Sequence, residues 1–359
     1  MSASQYPCSN CGANVEYAPG TSVLQCPYCG ARTPLQPTGV QVREHSYAEF
    51  AGLPRKPIAT LAPHVFKCRG CGAVTESDKL SDRCQFCDAP LVTDGVDGDM
   101  VTPEAVLPFE LDRARMREAL RKWASSRWFA PNSLKKVTEA EKSRSTYLPH
   151  WTYDAETTSA YRGERGDHYW ETETYTENGE TKTRQVQRTA WHPVNGVVDH
   201  NFDDVLVAGT THVAPKHLDT LEPWPLPQSE AYRPEYLAGH ETLRYDVEPE
   251  QGLAKAQETM QSAIRDDCRR DIGGDEQRIH SVDTEYREVM FKLMLLPVWV
   301  AVYLHAGKTF NVLVNGRTGE VAGERPYSAL KIALAVALAV IVIAAVIVLW
   351  ALHNQGAHQ

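Results

Sequence analysis

The sequence lacks the motifs that identify the common enzyme classes. It contains no Gly-x-Ser-x-Gly, His-Glu-x-x-His or dinucleotide-binding fingerprint. Gly307-Lys308-Thr309 resembles the end of a phosphate loop, but Val302 stands where that motif requires a Gly. The segment also lies between predicted strands rather than before a helix. We therefore predict no ATP site, no catalytic residues and no small-molecule substrate, and we expect that the protein is not an enzyme.

Excess basic charge is absent, and so is any sign of export. The formal net charge is −9, which argues against broad binding to nucleic acid or to anionic lipid. The N-terminal stretch MSASQYPCSN contains neither the basic n-region nor the apolar h-region of a cleavable signal peptide. We therefore expect no signal peptide and no export of the bulk of the protein.

One long apolar run lies at the C-terminal end. Residues 332–352 contain no charged residue, no Pro and no Gly. A helix rises about 1.5 Å per residue, so this run is long enough to cross a hydrocarbon core of about 30 Å. Lys331 and Trp350 lie near its ends, where interfacial anchors are common. We predict a transmembrane helix within residues 328–353 and a short tail at 354–359; the alternative is a buried core helix.

The charges beside this run predict its orientation. Arg317, Arg325 and Lys331 precede the run, and no Lys or Arg follows it. Because positive charge favours the cytoplasmic side, the N-terminal bulk of the protein is expected in the cytoplasm. The predicted location is the cell membrane, in a single-pass, tail-anchored arrangement.

The cysteines form a repeated pattern. Eight of the nine fall into four Cys-x-x-Cys pairs, which in a cytoplasm-facing protein indicates metal binding rather than disulfides. The pairs are Cys8 and Cys11, Cys26 and Cys29, Cys68 and Cys71, and Cys84 and Cys87. Two such turns joined by a hairpin can place four thiolates around one ion. We predict two zinc ribbons, at residues 1–35 and 63–95, with iron in a rubredoxin-like site as the rival metal.

The predicted metal role is structural. All four coordination positions of each ion are filled by thiolates, which leaves none open for catalysis. A ribbon is too small to bury its own core, so metal binding substitutes for it. Gly12, Gly30 and Gly72 follow their pairs and allow the positive φ that such turns need, whereas Asp88 stands at the fourth turn. Residues 1–35 carry only two charges, Glu16 and Arg32, so protein contact is favoured over nucleic-acid binding.

A Pro-rich linker at 36–62, with at most a short helix near Tyr47 to Phe50, is expected between the ribbons. Residues 96–327 are predicted to form a cytoplasmic α+β domain. Its first helix is expected at 113–127, capped by Asp112, with Met116 and Leu120 on its apolar side. The polar side of that helix is basic: Arg113, Arg115, Arg117, Arg121 and Lys122. That side is either a solvated face or a contact for lipid headgroups or an acidic partner.

The rest of the domain is predicted to be rich in β-structure. Asn178-Gly179 predicts a hairpin turn that pairs Glu173 with Arg184 and Thr174 with Thr183, in a ribbon wet on both faces that projects from the body. A second helix is expected from about 249 to 270, with Cys268 in the core. Further strands are predicted near 278–286, 291–304, 309–314 and 320–322.

A short internal repeat suggests two related halves within the domain. Leu148-Pro149-His150-Trp151 resembles Leu296-Pro297-Val298-Trp299, and a predicted helix lies upstream of each. The predicted fold class is therefore α+β, with two N-terminal zinc ribbons, a β-rich body of two related halves and one C-terminal transmembrane helix.

Together, the four Cys-x-x-Cys pairs, the Leu-Pro-x-Trp segments, the hairpin VNGRTGEV, the segment GERPYS and the C-terminal span resemble a known family. It is the family of bacterial membrane-anchored double-zinc-ribbon proteins. The resemblance covers most of the chain. Labels attached to that family include primosomal protein N′ and transcription-factor-IIB-type zinc-binding protein. A helicase-type activity would need a phosphate loop, which is missing here.

The resemblance implies a role among membrane proteins. Genes of the family are often found near those of SPFH-domain and phage-shock-type membrane proteins, which implies a recruitment platform in envelope stress. We therefore expect a non-enzymatic, tail-anchored scaffold that presents its zinc ribbons to cytoplasmic or membrane-associated proteins. Two other hypotheses stay open: a membrane-tethered nucleic-acid-binding protein, and an enzyme with an unrecognised site in the β-rich body.

Overall fold

The structure is a computed structural model of the chain. It describes residues 7–36, 39–50, 64–68, 73–77, 91–93, 101–127, 143–305, 308–323 and 329–356. These residues form a mixed α and β structure: a small sheet near the N-terminus, a large curled sheet with helices packed on it, and one apolar helix at the C-terminal end.

The elements are numbered here in chain order. The strands are β1 Glu16–Tyr17, β2 Val23–Gln25, β3 Arg32–Pro34, β4 His45–Ser46, β5 His64–Cys68, β6 Val74–Ser77, β7 Leu91–Thr93, β8 Ala105–Val106, β9 Arg144–Glu177, β10 Glu180–Ala208, β11 Glu230–Ala231, β12 Glu241–Leu243, β13 Glu276–His305, β14 Lys308–Asn315 and β15 Val321–Gly323. The helices are α1 Tyr47–Phe50, α2 Arg113–Ser125, α3 Pro215–Thr220, α4 Pro249–Ile272 and α5 Ala329–Gly356. Two short 3₁₀ turns lie at Leu226–Gln228 and Pro234–Leu237.

The long strand β9 is the centre of the large sheet. It pairs antiparallel with β10 on one side and with β13 on the other. Its first residues also pair in parallel with β12, and β13 pairs in parallel with β8. Strands β9 and β13 are buried around their Leu-Pro-x-Trp segments, whereas the far end of the β9–β10 ribbon is exposed. The core therefore surrounds the Leu-Pro-x-Trp segments of these two strands.

The hairpin predicted at Asn178-Gly179 is confirmed in both turn and register. Arg184 pairs with Glu173 and Thr183 with Thr174, as the two-residue turn requires. Asn178 and Gly179 both have positive φ. Strand β13 stays beside β9 only as far as Gly166, so the ribbon beyond that residue pairs only with itself in the described sheet. Its side chains are largely exposed, as predicted.

Both predicted helices are confirmed. Asp112 caps α2 by accepting a hydrogen bond from the Arg115 N–H, and Met116 and Leu120 are buried. The apolar face of α4 packs on β9, β10 and β13. Cys268, on that face, is fully buried, which agrees with its predicted role as a core residue.

The two Leu-Pro-x-Trp segments lie directly beside each other. Leu148 is opposite Leu296 in the β9–β13 pair. The Trp151 Nε1 donates to the Val247 carbonyl at 2.8 Å, and the Trp299 Nε1 donates to the Leu111 carbonyl at 3.0 Å. Each accepting residue comes directly before the N-cap of a helix, α4 in one case and α2 in the other.

The backbone contacts of these segments match as well. The Gly209 N–H donates to the Pro149 carbonyl, and the Gly316 N–H donates to the Pro297 carbonyl. A Cβ at either glycine would lie under 3.0 Å from that carbonyl oxygen, so both positions require Gly. Equivalent contacts thus recur on both sides of the Leu148–Leu296 pair, as two related halves would require.

Two segments outside the predicted body take part in its sheet. Strand β4 pairs with β13, and α1 follows it, at the position predicted for the short linker helix. Phe50 of α1 is buried against Phe291, with ring centroids 5.2 Å apart. Strand β6 of the second cysteine repeat pairs with β12. The body therefore includes parts of the chain that its sequence pattern assigned to a linker and to a ribbon.

Helix α5 is long and apolar enough to cross a membrane. It includes the predicted span, residues 332–352. No residue between Lys331 and Val348 is buried, so the rest of the described protein does not cover this apolar surface. A core helix of a soluble protein would be mostly buried.

Replacing either buried tryptophan by phenylalanine tests the paired contacts. Trp151→Phe or Trp299→Phe removes the indole donor and leaves a buried carbonyl at a helix N-terminus without its partner. We expect each variant to lose about 1–3 kcal/mol of unfolding free energy, measured by thermal unfolding of the full chain in detergent. Trp170→Phe is the matched control, because Trp170 is 66% exposed on the ribbon. An unchanged melting temperature in both core variants would contradict the assignment.

Candidate metal centre

The first four cysteines lie on two turns of the same geometry. In the first turn, the Cys8 N–H donates to the Ala13 carbonyl and the Gly12 N–H donates to the Cys8 carbonyl. In the second, Cys26, Ala31 and Gly30 make the same two bonds. Gly12 and Gly30 have φ of 76° and 72°, which confirms the predicted need for glycine there. Two matching turns therefore carry two thiols each.

The four thiols converge to the size of one metal site. The Sγ atoms of Cys8, Cys11, Cys26 and Cys29 all lie within 4.8 Å of one another. Cys8 and Cys29 are 3.6 Å apart, and Cys11 and Cys26 are 3.5 Å apart. Sulfurs at about 2.3 Å from a tetrahedral ion would be about 3.8 Å from each other. The donor set therefore fits a metal ion, which these four residues could hold.

Backbone N–H groups also favour the thiolate form that a metal requires. The Ala31 N–H, with help from the Asn10 side chain, lowers the pKa of Cys29 to about 6. Ala13 stands in the same place relative to Cys11 in the first turn, and its N–H likewise acts to lower the pKa of that thiol. The neighbouring Cys26, Cys29 and Cys8 thiols and desolvation outweigh it and raise the pKa of Cys11 to about 12. Such N–H contacts are part of the outer shell that stabilises negative charge on sulfur.

This cysteine cluster is joined to the core of the body. Cys8 and Cys26 are buried, whereas Cys11 and Cys29 are exposed. The Tyr17 N–H donates to the Ala238 carbonyl, and the Gly20 N–H donates to the Phe109 carbonyl. Residues of the small sheet and of α2 share one hydrophobic cluster. Two of the four thiols therefore face solvent and two are part of the hydrophobic core. This is the arrangement expected of a metal site that stabilises the fold.

The second predicted set lies mostly outside the described residues. Cys71, Cys84 and Cys87 are not described, nor are Gly72 and Asp88; Cys68 is described only as the last residue of β5. The strands around the set are described: β5 pairs antiparallel with both β6 and β7. That is the strand arrangement expected of a ribbon, and the metal site itself stays a prediction.

A buried lysine among three carboxylates is a charged group that the sequence pattern did not reveal. Lys292 is 5% exposed and donates to Glu44 at 2.7 Å and to Asp204 at 2.5 Å. Asp154 lies beside them and accepts from the Asp204 N–H. Strands β10 and β13 both shift register next to Asp154, and these bulges bring the group together. No sequence signal could have linked Glu44, in the predicted linker, to Lys292.

The pKa values of two carboxyls in this group, Asp154 and Glu44, are shifted in opposite directions. Burial raises the pKa of Asp154 to about 7; the Asp204 N–H opposes the rise and the Glu44 carboxylate adds to it. Desolvation acts to raise the pKa of Glu44, but hydrogen bonds from Lys292 and Asp154 lower it overall. Asp154 is therefore protonated below about pH 7, whereas the Glu44 carboxylate that accepts from Lys292 stays ionised. A lysine closed in by its own counter-ions is typical of a structural ion-pair group.

Removing one cysteine tests the metal centre. We expect Cys26→Ser to lower the metal content of the purified full chain by about one ion and to lower its melting temperature, because both the site and the shared core lose a member. Metal content is measured by inductively coupled plasma mass spectrometry. Cys268→Ala is the control, since that thiol lies in the core away from the cluster. A Cys26→Ser variant with the metal content of the wild type would refute the site.

The buried acid predicts a pH dependence of a definite sign. Because the folded pKa of Asp154 lies above its unfolded value, the folded state binds more protons between about pH 4 and pH 7, and stability falls as pH rises through that window. Asp154→Asn keeps an acceptor for the Asp204 N–H and should remove this fall, so the variant gains melting temperature relative to wild type at pH 8 but not at pH 4.5. The neighbouring exposed Asp203→Asn is the control. Parallel pH curves for wild type and Asp154→Asn would contradict the assignment.

Comparison with known proteins gives one match over nearly the full length. The chain is 25% identical over 348 residues to the uncharacterized protein YdjG of Bacillus subtilis (strain 168), a region that covers 91% of this chain and 92% of that protein. No family model matches the chain, and no solved structure matches it. The similarity therefore covers most of the length of both chains.

Proposed function

We propose that this protein is a non-enzymatic, membrane-anchored adaptor that presents a zinc-stabilised body to other membrane-associated proteins at the cytoplasmic face. The proposal rests first on α5, whose apolar surface is left uncovered by the described protein and needs a lipid environment. The excess of Lys and Arg before that helix supports the cytoplasmic side.

Zinc is the metal that the donor set favours. Four thiolates in a closed set leave no position for substrate, and zinc takes such a set in structural sites. We propose a second zinc in the second repeat, Cys68, Cys71, Cys84 and Cys87, because the spacing repeats. Each zinc would hold its ribbon against the body. Neither would take part in chemistry.

The partner surface in this proposal is the projecting ribbon of β9 and β10. Tyr169, Trp170 and Tyr175 are exposed there, and Trp170 is 66% exposed. Exposed aromatic residues on a rigid support are typical anchors of protein interfaces. The Arg184 guanidinium lies over the Tyr175 ring and pairs with Glu173, which holds the ribbon surface in one shape. The resemblance to double-zinc-ribbon proteins suggests SPFH-domain or phage-shock-type membrane proteins as partners.

Co-purification from membranes tests this function. The tagged full chain is expressed in bacterial cells and extracted in mild detergent, and bound proteins are quantified by mass spectrometry. We expect SPFH-domain or phage-shock-type proteins with the wild type and a loss of at least about tenfold with Trp170→Ser, because such anchors commonly contribute 2 kcal/mol or more. The matched control is Val197→Ser, since Val197 is 60% exposed on β10.

Two results would contradict the adaptor. One is the absence of these proteins from the wild-type sample; equal capture by the wild type and the Trp170→Ser variant would instead exclude Trp170 from the partner surface. The other is co-purification of nucleic acid in place of protein, with salt-sensitive binding, which would support a membrane-tethered nucleic-acid-binding protein instead.

A further inference from the structure

The projecting β9–β10 ribbon has two strand edges that no other described strand covers. Strand β13 follows β9 only as far as Gly166, whose partner is Glu276. Within the described sheet, β10 pairs with β9 and with no other strand. Residues 167–177 of β9 and residues 180–192 of β10 therefore each form an edge, with backbone N–H and C=O groups that can bind a further strand.

The contacts near the base of the ribbon show which backbone groups point outward. In an antiparallel pair, every second residue directs its N–H and C=O away from the partner strand. The Gly166 carbonyl accepts from the Asp275 N–H, and the His168 N–H donates to the Asp275 carboxylate, so the even-numbered residues of β9 point away from β10. Their partners are the odd-numbered residues of β10, and Pro193, which has no N–H, is one of them. The outward positions beyond these contacts are Trp170, Thr172, Thr174 and Thr176 on β9, and Thr181, Thr183, Gln185, Gln187, Thr189 and Trp191 on β10.

The two edges carry opposite charge. Residues 167–177 include four acids and no Lys or Arg, whereas residues 181–191 include three bases and no acid. The acids are Asp167, Glu171, Glu173 and Glu177, and the bases are Lys182, Arg184 and Arg188. Because side chains alternate along a strand, the register places all seven on one face of the ribbon. Ion pairs of Arg184 with Glu173 at 2.9 Å and of Lys182 with Glu177 at 2.8 Å show this arrangement.

The opposite face of the ribbon carries Thr and Gln in place of these charges. The Gln185 Nε2 donates to the Thr172 Oγ1 at 3.0 Å across the strands, and Thr174 lies opposite Thr183. Neutral polar and β-branched residues of this kind pair well across strands. A strand added at either edge therefore meets a charge pattern on one face only.

The charge pattern selects how two ribbons can meet. Pairing β9 with β9, or β10 with β10, would set like charges side by side, which is destabilising. Pairing the β9 edge of one ribbon with the β10 edge of another continues the alternation of acidic and basic strands. The side chains of Arg184 and Lys182 are 61% and 44% exposed, so they can also contact acids of a neighbour.

Strand direction is consistent with this choice. A β9 strand beside the β10 strand of a second ribbon is antiparallel when both ribbons point the same way. The copies then have the same orientation, and so do their apolar C-terminal helices. Chains anchored in one membrane require such an arrangement.

We propose that the β9 edge of one chain pairs with the β10 edge of a second copy of this chain, through residues 168–176 of β9 and 181–189 of β10. Each contact leaves one edge free at either end, so it builds an open row of chains rather than a closed dimer. Pro193 limits the pairing on the side of the body, because it offers no N–H. This self-association goes beyond the adaptor function and does not depend on it.

Proline substitutions at the two edges test the proposal. Thr174→Pro on β9 and Thr183→Pro on β10 each remove one outward N–H, which the ribbon itself does not use. Val197→Pro is the matched control, since Val197 is 60% exposed, has an outward position on β10 and lies outside the paired stretch. The masses of the purified full chains in neutral detergent are measured by mass photometry over a range of concentrations.

The expected result is loss in each variant and partial rescue in the mixture. The wild type and Val197→Pro should form dimers and longer rows, whereas Thr174→Pro and Thr183→Pro should each associate about tenfold or more weakly. An equimolar mixture of those two variants should form dimers but no longer rows. The reason is that only the intact β10 edge of the first and the intact β9 edge of the second can pair.

Neutralising the basic edge gives a second test that needs no proline. Arg184→Gln/Arg188→Gln should associate about tenfold or more weakly than the wild type, because the acidic edge loses its complement. Lys255→Gln/Arg265→Gln, which removes two exposed cations from α4, should stay within about twofold of the wild type. Circular dichroism and melting temperatures of all variants check that a loss of association is not a loss of fold.

Three results would overturn the proposal. One is a wild type that stays monomeric at every concentration at which it is soluble. Another is association of folded Thr174→Pro and Thr183→Pro equal to that of the wild type, which would place the contact elsewhere, such as in the membrane helix. The third is dimers of Thr174→Pro alone at the wild-type affinity, which would indicate a symmetric contact between β10 edges. None of these results bears on the capture of membrane proteins, which is measured separately.

Discussion

The antiparallel pairing of β9 with β13 is the contact on which the rest of this structure depends. Its register sets Leu148 opposite Leu296 and so places the buried tryptophans of these two strands, Trp151 and Trp299, against the N-terminal ends of α4 and α2. A shift of one residue would turn every side chain of either strand to the opposite face. The helices α2 and α4, the parallel strands β8 and β12, and the turns at Gly209 and Gly316 all take their positions from this one pair.

The cysteine site is part of the hydrophobic core and not a separate module beside it. Buried Cys8 and Cys26 belong to the same hydrophobic cluster as Met116 and Phe109 of the body. A metal held there would stabilise more than a small loop, because its ligands share their packing with α2. In the adaptor function proposed above, such a site would help to hold the presented surface in one shape. It also separates metal binding from any contact made by the far end of the β9–β10 ribbon.

The buried charge of the body is paired with opposite charges. The chain is acidic overall, yet Lys292 is buried within the sheet between Glu44 and Asp204. A lysine with its counter-ions close by costs less to bury than a lone charge.

Much of this protein was determined by its sequence alone, wherever the signal is local. The Asn178-Gly179 turn, the Asp112 cap, the apolar faces of α2 and α4, the glycines after the first two cysteine pairs and the uncharged run at 332–352 all act over a few residues, and each predicted element is found. Only the tertiary structure decided which residues far apart in the sequence are in contact. Lys292 and Glu44 are 248 residues apart in the sequence, and they meet only because β4 pairs with β13. Such contacts depend on strand register and on bulges, which carry no pattern in a single sequence.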